Sequence, residues 1–197
     1  MTMGSWPSRS QFSDSEMPER ETFDGFVQRA AALIRDIPDY PKPGIVFKDI
    51  TPLLADAAAF AGATRAMAAP FASAGVTHVV AIESRGFILG GPIAQQLGAG
   101  FIPVRKPGKL PSRTRREQYE LEYGTDAVEI HADAADRQTR VLIVDDVLAT
   151  GGTAAATCRL VESLDATVVG LTFLIALSVL PGVERLASRP VRTLITY

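Results

Sequence analysis

A continuous apolar run, Val141 to Val144, limits the possible folds more than any other segment, and Asp145 and Asp146 follow it directly. A strand that is apolar on both faces must be covered on both, which is typical of central strands in a parallel sheet flanked by helices. In such sheets ligands bind at the carboxyl ends of the strands, where loops lead into helices. The two carboxylates are therefore predicted to stand at a ligand-binding edge.

The segments around this run alternate between helical and extended patterns. Helices are predicted over about 24–35, 60–71, 87–97 and 154–164, and strands over 77–82, 101–104, 140–144 and 166–177. Two alternating runs, 119–123 and 127–130, are separated by Gly124 to Asp126 and predict a β-hairpin. The alternation predicts an α/β fold, with a mostly parallel central sheet flanked by helices, in one domain over 24–197.

Length and composition agree with one domain and exclude several other classes of protein. The 197 residues suit a single core, since domains typically span roughly 100–200 residues. The hydrophobic fraction of 47% excludes a disordered or fibrous chain. Residues 1–23 lack the apolar core of a signal peptide and are predicted to be a flexible extension. No apolar stretch is long enough for a membrane span, and the single cysteine, Cys158, predicts a reducing, cytoplasmic setting.

The net charge is balanced, but the basic residues are concentrated in one place. A formal charge of −2 gives no sign of a nucleic acid partner or an anionic membrane. Between residues 105 and 116, however, lie six of the 20 lysines and arginines and no acid. This basic segment follows a predicted strand, which favours contact with an anionic substrate over the alternative of an ordinary solvated loop. Its cations are Arg105, Lys106, Lys109, Arg113, Arg115 and Arg116.

The segment after the two aspartates has the composition of a phosphate-binding loop. Ala149, Gly151 and Gly152 allow the backbone to approach an anion closely. Thr150 and Thr153 offer hydroxyl groups, and the next helix directs its amino-terminal end at the phosphate. Two adjacent carboxylates would repel that phosphate, so they are predicted to bind ribose hydroxyls or a magnesium ion with its water shell. The alternative is a buried strand that ends in a solvated acidic turn.

The motifs identify a resemblance to a known family. Neither a P-loop nor a dinucleotide-binding pattern occurs, but the apolar run with Asp-Asp and Thr-Gly-Gly-Thr resembles the phosphoribosyl pyrophosphate signature of type I phosphoribosyltransferases. Segments 39–50, 83–87, 105–111 and 121–124 resemble the adenine phosphoribosyltransferases, in that family's order. The resemblance covers about residues 24–197. It implies transfer of the 5-phosphoribosyl group from phosphoribosyl pyrophosphate to adenine, giving AMP and pyrophosphate, with Mg2+.

The resemblance also implies which residues are catalytic. Asp145 and Asp146 would hold the ribose hydroxyls and favour the oxocarbenium-like state, while Arg85 would neutralise the departing pyrophosphate. Magnesium is expected to be held mainly by substrate and water near this pair, without direct ligation by a side chain. Glu122, on the hairpin, would manage the purine proton as N9 attacks, although the alternation of the strand also allows it simply to face solvent. The hairpin is expected to be mobile and to close over the site.

The remaining residues implied by the resemblance bind substrate. Phe47 would be the platform for the adenine ring, with the core as the alternative place for it, and the backbone of Val46 and Lys48 would frame the edge of the base. The turn at Glu83 and Ser84 would carry an unusual peptide geometry aimed at pyrophosphate. The full predicted substrate-binding set is Val46, Phe47, Lys48, Ser84, Arg105, Lys106, Lys109, Tyr123, Ala149, Thr150, Gly151, Gly152 and Thr153.

Two other functions are compatible with these motifs. One is a regulatory protein that keeps the phosphoribosyl pyrophosphate site as a sensor, but residues 1–23 are too short and not basic enough to supply a DNA-binding domain. The other is phosphoribosyl transfer to a different base. The family further implies a homodimer. The stretch from Arg113 to Arg116 is more charged than expected of the family, and its role is left open.

Overall fold

The structure, a computed structural model of the chain, describes residues 22–120, 125–186 and 188–197. Its helices are α1 (Phe23–Ala32), α2 (Thr51–Ala55), α3 (Ala57–Ala68), α4 (Arg85–Leu97), α5 (Gly152–Ser163) and α6 (Gly182–Arg185). Its strands are β1 (Arg35–Ile37), β2 (Phe47–Asp49), β3 (His78–Ile82), β4 (Gly100–Val104), β5 (Thr114–Glu120), β6 (Thr125–His131), β7 (Arg140–Leu148), β8 (Thr167–Ala176) and β9 (Val191–Thr196).

The central sheet has five strands in the order β4-β3-β7-β8-β9, and all neighbours are parallel. Strand β7 is its middle strand and is buried on both faces. Val141 and Ile143 pack into a core that includes residues of α5, whereas Leu142 and Val144 pack into a second core with residues of α3 and α4. The predicted α/β fold, with a parallel sheet flanked by helices, is confirmed.

The order of the strands brings three polar segments to one edge. From β3 the chain crosses through α4 to β4 on one side, and from β7 it crosses through α5 to β8 on the other. The boundary between β3 and β7 is therefore the point where the direction of winding reverses, which is where ligands bind in open α/β sheets. Glu83 follows β3, Arg105 follows β4, and Asp145 lies in the last part of β7.

The predicted hairpin is present as β5 and β6, which pair antiparallel from Thr114 opposite His131 to Glu120 opposite Thr125. The turn was predicted at 124–126, but Asp126 pairs with Tyr119 inside the ladder, so the strand begins earlier than the glycine suggested. Residues 121–124, which include the predicted site residues Glu122 and Tyr123, lie outside the described part of the chain.

Local periodicity missed the elements that depend on distant partners. The predicted helix over 24–35 ends at Ala32, because Arg35–Ile37 instead forms β1 and pairs antiparallel with β2. Strand β9 was also missed, since its place beside β8 at the edge of the sheet is set by a partner about twenty residues earlier in the chain. The short helices α2 and α6 carry too few residues to show a helical period.

Two further observations concern the single cysteine and the lengths of the helices. Cys158, on α5, is fully buried in the core, and burial raises the pKa of its thiol to about 11. Within the described ranges, no helix combines the length and the hydropathy needed to cross a bilayer.

Candidate active site

A cleft of about 600 Å³ opens where β3 and β7 end. It brings together the three described residues that were predicted to be catalytic, Arg85, Asp145 and Asp146. It also contains several of the predicted substrate-binding residues. These are Phe47, Ser84, Lys106, Ala149 and Thr153.

The two aspartates stand at the floor of the cleft, in the last part of β7. Asp146 is only 5% exposed, and its backbone N–H donates to Oδ1 of Asp145 at 2.9 Å. Oδ2 of Asp146 lies 2.6 Å from Nε of Arg85, but the two groups are not aligned for a hydrogen bond, and this buried oxygen has no other hydrogen-bond partner. A buried carboxylate oxygen that lacks a donor is a ready acceptor for a hydroxyl group of a ligand.

Burial raises the pKa values of both carboxyls of this pair, and the charge of Asp146 adds to the rise at Asp145. The pKa of Asp145 lies well above its usual range because the carboxyl is removed from water and faces the charge of Asp146. Burial also raises the pKa of Asp146, although the charge of Arg85 opposes the shift. A ligand that brings hydrogen-bond donors or positive charge would stabilise the ionised pair.

The raised pKa of Asp145 predicts a stability that depends on pH. Because the folded pKa exceeds the unfolded one, the contribution to stability is fully present below the unfolded pKa and is lost as the pH rises through the folded pKa. Asp145→Asn removes this loss, so we expect its Tm advantage over the wild type to grow with pH. Thermal unfolding across the acidic to neutral range measures it, and the exposed Asp133→Asn is the matched control. A Tm difference that stays constant with pH would contradict the assignment.

An aromatic pair forms one wall of the cleft. The guanidinium of Arg85 lies 4.8 Å from the ring centroid of Phe47, and Tyr40 packs edge-on against the same ring at 5.2 Å. Phe47 is half-buried and lines the cleft, so the structure places it at the site and not in the core. Tyr40 was not predicted as a site residue. Nothing in the proline-rich segment around it indicates that its ring packs against Phe47.

Glu83 holds the first part of the basic segment. Its carboxylate accepts hydrogen bonds from Nε of Arg105 at 2.9 Å, Nζ of Lys109 at 2.5 Å and the backbone N–H of Lys106 at 3.1 Å. Burial by itself raises the pKa of Glu83, but these donors outweigh it and hold the pKa below its usual value. The peptide bond between Glu83 and Ser84 is cis, at the turn where the resemblance implied unusual geometry. Glu83 itself was not among the predicted site residues, because its partners lie more than twenty residues away in the sequence.

Lys106 connects the cleft to the hairpin. Its ammonium pairs with the carboxylate of Asp126 on β6 and donates to the hydroxyl of Tyr119 on β5 at 3.1 Å. That hydroxyl in turn donates to Asp126 at 3.0 Å. Burial lowers the pKa of Lys106, but these two partners outweigh it and raise the pKa, so the ammonium keeps its charge. Tyr119 and Asp126 were not predicted as site residues, because nothing in the sequence distinguishes them from ordinary residues of a strand.

The rest of the basic segment lies away from the cleft. The backbone N–H of Gly108 donates to Glu129 at 3.1 Å, which holds the middle of the segment against β6. Arg113, Arg115 and Arg116 are exposed, and the last two lie on β5. The first half of the segment is thus held by Glu83 next to the cleft, and the side chains of Arg113, Arg115 and Arg116 in the second half face solvent.

Two of the predicted base-binding residues are not in the lining of the cleft. Val46 is 48% exposed. The ammonium of Lys48 pairs with Asp36 at 2.6 Å and lies 3.8 Å from the ring centroid of Tyr197. The predictions for these two residues concern their backbone groups, and Val46 and Lys48 directly precede and follow Phe47 in the chain.

The predicted phosphate-binding loop, residues 149–153 and called the phosphate loop below, covers the connection from β7 to the first residues of α5. Gly151 adopts a φ of +75°, a left-handed conformation that suits glycine, and no side chain caps the helix that follows. The first N–H groups of α5 are therefore without a side-chain acceptor. Ala149 and Thr153 line the main cleft, whereas Gly152 lines a second cleft of about 410 Å³ under the hairpin, and the carbonyl of Thr150 accepts from Arg185 at 3.3 Å.

A glycine lets α4 begin directly beside the aspartates. A Cβ placed on Gly86 would lie 2.9 Å from Oδ1 of Asp145 and 3.0 Å from the backbone carbonyl of Val144. The first turn of α4, which carries Arg85, can approach the end of β7 only because this position has no side chain.

A parallel sheet whose cleft joins a carboxylate pair to a glycine-rich loop and a set of cations suits transfer of a phosphorylated sugar. The family model of the phosphoribosyl transferase domain matches residues 49–188, which places the chain in that class of proteins. More narrowly, the chain belongs to the adenine phosphoribosyltransferase family. It is 58% identical over 166 residues to the adenine phosphoribosyltransferase of Myxococcus xanthus, an alignment that covers 84% of this chain and 90% of that protein.

Solved structures show the same relationship. The crystal structure of adenine phosphoribosyltransferase from Rhodothermus marinus is 52% identical and superposes with a TM-score of 0.85, covering 88% of this chain and 99% of that one. The enzyme from Saccharomyces cerevisiae, complexed with an imino-altritol bisphosphate and adenine, is 38% identical with a TM-score of 0.82, covering 87% and 99% of the two chains.

Proposed function

We propose that the protein is a purine salvage enzyme that transfers the 5-phosphoribosyl group from phosphoribosyl pyrophosphate to adenine and releases AMP and pyrophosphate. The observation that carries this proposal is the meeting of Asp145, Asp146, Arg85 and Phe47 in one cleft at the switch point of the sheet. The family supports it, since relatives that are 52–58% identical are named adenine phosphoribosyltransferase.

The charges of the cleft suit this reaction. As the bond between the anomeric carbon and pyrophosphate breaks, positive charge develops on the sugar and negative charge on the leaving group, while N9 of the purine forms the new bond. Arg85 and Lys106 supply cations for the leaving group. Asp145 and Asp146 supply carboxylates that accept the ribose hydroxyls and stabilise the cationic sugar. Groups fixed in advance where charge develops are an effective form of catalysis, because they need little reorganisation.

We propose that magnesium is held mainly by substrate phosphates and water, close to Asp145 and Asp146. The pair fits this ion because Mg2+ prefers oxygen ligands and keeps several waters, and Oδ2 of Asp146 has no hydrogen-bond partner. When bound, the ion would neutralise charge on the phosphates. Burial raises the pKa values of both carboxyls, and a bound cation would favour their ionised forms.

The proposed base site lies beside Phe47. Its ring would stack on adenine, and the backbone next to it, at Val46 and Lys48, would meet the edge of the base. Backbone groups can distinguish adenine, which offers an amino donor, from hypoxanthine, which offers a carbonyl acceptor at the same place. Tyr40 supports the ring from its edge and lines the same cleft.

The roles of Glu122 and Tyr123 stay predictions. We propose that Glu122 manages the purine proton and that the hairpin closes over the cleft to exclude water from the cationic sugar. The contact of Lys106 with Tyr119 and Asp126 supports a link between the hairpin and the site. A homodimer and a cytoplasmic location are also proposed, and light scattering at micromolar concentration tests the first.

The reaction is tested by incubating the protein with phosphoribosyl pyrophosphate, magnesium and one base at a time: adenine, hypoxanthine, guanine or orotate. We expect AMP from adenine and no comparable nucleotide from the other three. Turnover with another base would indicate a relative of different specificity. Tight binding of phosphoribosyl pyrophosphate without any turnover would favour the sensor.

A further inference from the structure

Helix α6, which the proposed reaction does not involve, lies against the phosphate loop. A Cβ on Gly182 would lie 2.2 Å from the carbonyl oxygen of Ala149, and a Cβ on Gly151 would lie 2.9 Å from the carbonyl oxygen of Gly182. Real Cβ atoms do not tolerate such distances, so the two backbones touch with no side chain between them. The position of α6 therefore fixes the path of the loop.

Arg185, at the end of α6, contacts the same loop with its side chain. Its Nη1 donates to the carbonyl oxygen of Thr150 at 3.3 Å and lies 3.4 Å from where a Cβ on Gly152 would stand. Gly152 is the first residue of α5, whose amino-terminal end carries a partial positive charge. A cation beside that end is unfavourable by itself, because the two positive charges repel each other. An anion bound at the loop reverses this balance.

The backbone of α6 is held independently of the guanidinium. The N–H of Arg185 donates to the carbonyl of Pro181 at 2.9 Å, and the next residue, Leu186, is fully buried in the core beside α5. The side chain of Arg185 itself is exposed. Removal of the guanidinium should therefore leave the fold intact.

We infer that Arg185 is a positioning residue for the 5-phosphate, an inference that rests on the proposed function. It holds the carbonyl of Thr150, which keeps the neighbouring N–H groups of the loop directed at the phosphate, and it adds positive charge beside the amino-terminal end of α5. The effect is confined to ligands that carry a 5-phosphate. Pyrophosphate would be bound instead by Arg85 and the basic segment, so the affinity for pyrophosphate should not depend on Arg185.

Calorimetric titration of wild type and Arg185→Gln with three ligands tests this role. Ribose 5-phosphate and AMP carry the 5-phosphate, and pyrophosphate does not. We expect the variant to bind the first two about tenfold more weakly, as loss of a charge-assisted contact implies, and to bind pyrophosphate within about twofold of the wild type. In turnover, the KM for phosphoribosyl pyrophosphate should rise while kcat changes little.

Arg159→Gln is the matched control. Arg159 lines the second cleft beside Arg185, but its Nε pairs with Glu117 at 2.5 Å, so its loss removes the same charge without touching the phosphate loop. Equal weakening of all three ligands, an equal effect in the control, or unchanged binding of ribose 5-phosphate would each overturn the inference. If AMP, the product of the proposed reaction, failed to bind the wild type, the proposed function itself would be contradicted.

Discussion

Asp146→Asn is expected to lower kcat by about 10² to 10³-fold, the range found when one group that stabilises transition-state charge is removed. Asp146 is the more buried carboxylate of the pair, and its Oδ2 is the oxygen without a hydrogen-bond partner. An amide keeps the shape of the side chain but cannot stabilise a cationic sugar. Initial rates at saturating adenine and phosphoribosyl pyrophosphate measure the loss.

The same substitution should not unfold the protein. It removes one of two like charges at a buried position, which is stabilising, but it also removes the partner of Arg85 at 2.6 Å, which is destabilising, so the free energy of unfolding at neutral pH is expected to change little. Thermal unfolding of the variant beside the wild type separates a catalytic loss from a structural one. An unchanged kcat would remove Asp146 from the catalytic residues, and a large fall in Tm would make its effect structural.

Gly86→Ala is expected to damage both stability and turnover. The new Cβ would lie 3.0 Å or less from the backbone carbonyl of Val144 and Oδ1 of Asp145, and a backbone carbonyl cannot move aside cheaply. Either the start of α4 or the end of β7 must shift, at a cost of about 1–3 kcal/mol in unfolding free energy. Because Arg85 and Asp146 move with these segments, kcat should fall on the order of tenfold or more.

Gly91→Ala is the control in the same helix. A Cβ at Gly91 meets nothing within 4 Å, so the substitution adds a methyl group to α4 without a clash. Unfolding free energy should stay the same or rise slightly, since alanine favours a helix more than glycine does, and kcat should not change. Similar losses in the two variants would show that the close approach at Gly86 does not matter.

The sequence predicted the sheet well, because its central strands are marked by local patterns. The run Val141 to Val144 requires cover on both faces, and the structure provides it with α5 on one side and with α3 and α4 on the other. Strand β1 could not be predicted in the same way. Arg35–Ile37 is exposed and forms a strand only because β2 lies beside it.

The residues of the candidate site show the same difference between local patterns, which the sequence reveals, and distant partners, which it does not. Arg85, Asp145 and Asp146 were predicted because they follow recognisable strands and belong to short motifs, and the structure brings them into one cleft. Glu83 and Asp126 were not, although each holds a predicted cation in place. Such partners are chosen by the tertiary fold, and a single sequence contains no periodicity or spacing that pairs residues 20 or more positions apart.

The position of β7 between β3 and β8 has a consequence for the order in which the protein can acquire activity during synthesis. Strands β3 and β4 are close in sequence and can pair early, but the cleft also needs the end of β7, which leaves the ribosome some sixty residues after β3. Until then the polar residues after β3 and the cations after β4 have no carboxylate pair opposite them. A nascent chain that ends before Asp145 therefore contains walls of the cleft, such as Phe47, Arg85 and Lys106, but lacks the two aspartates of its floor.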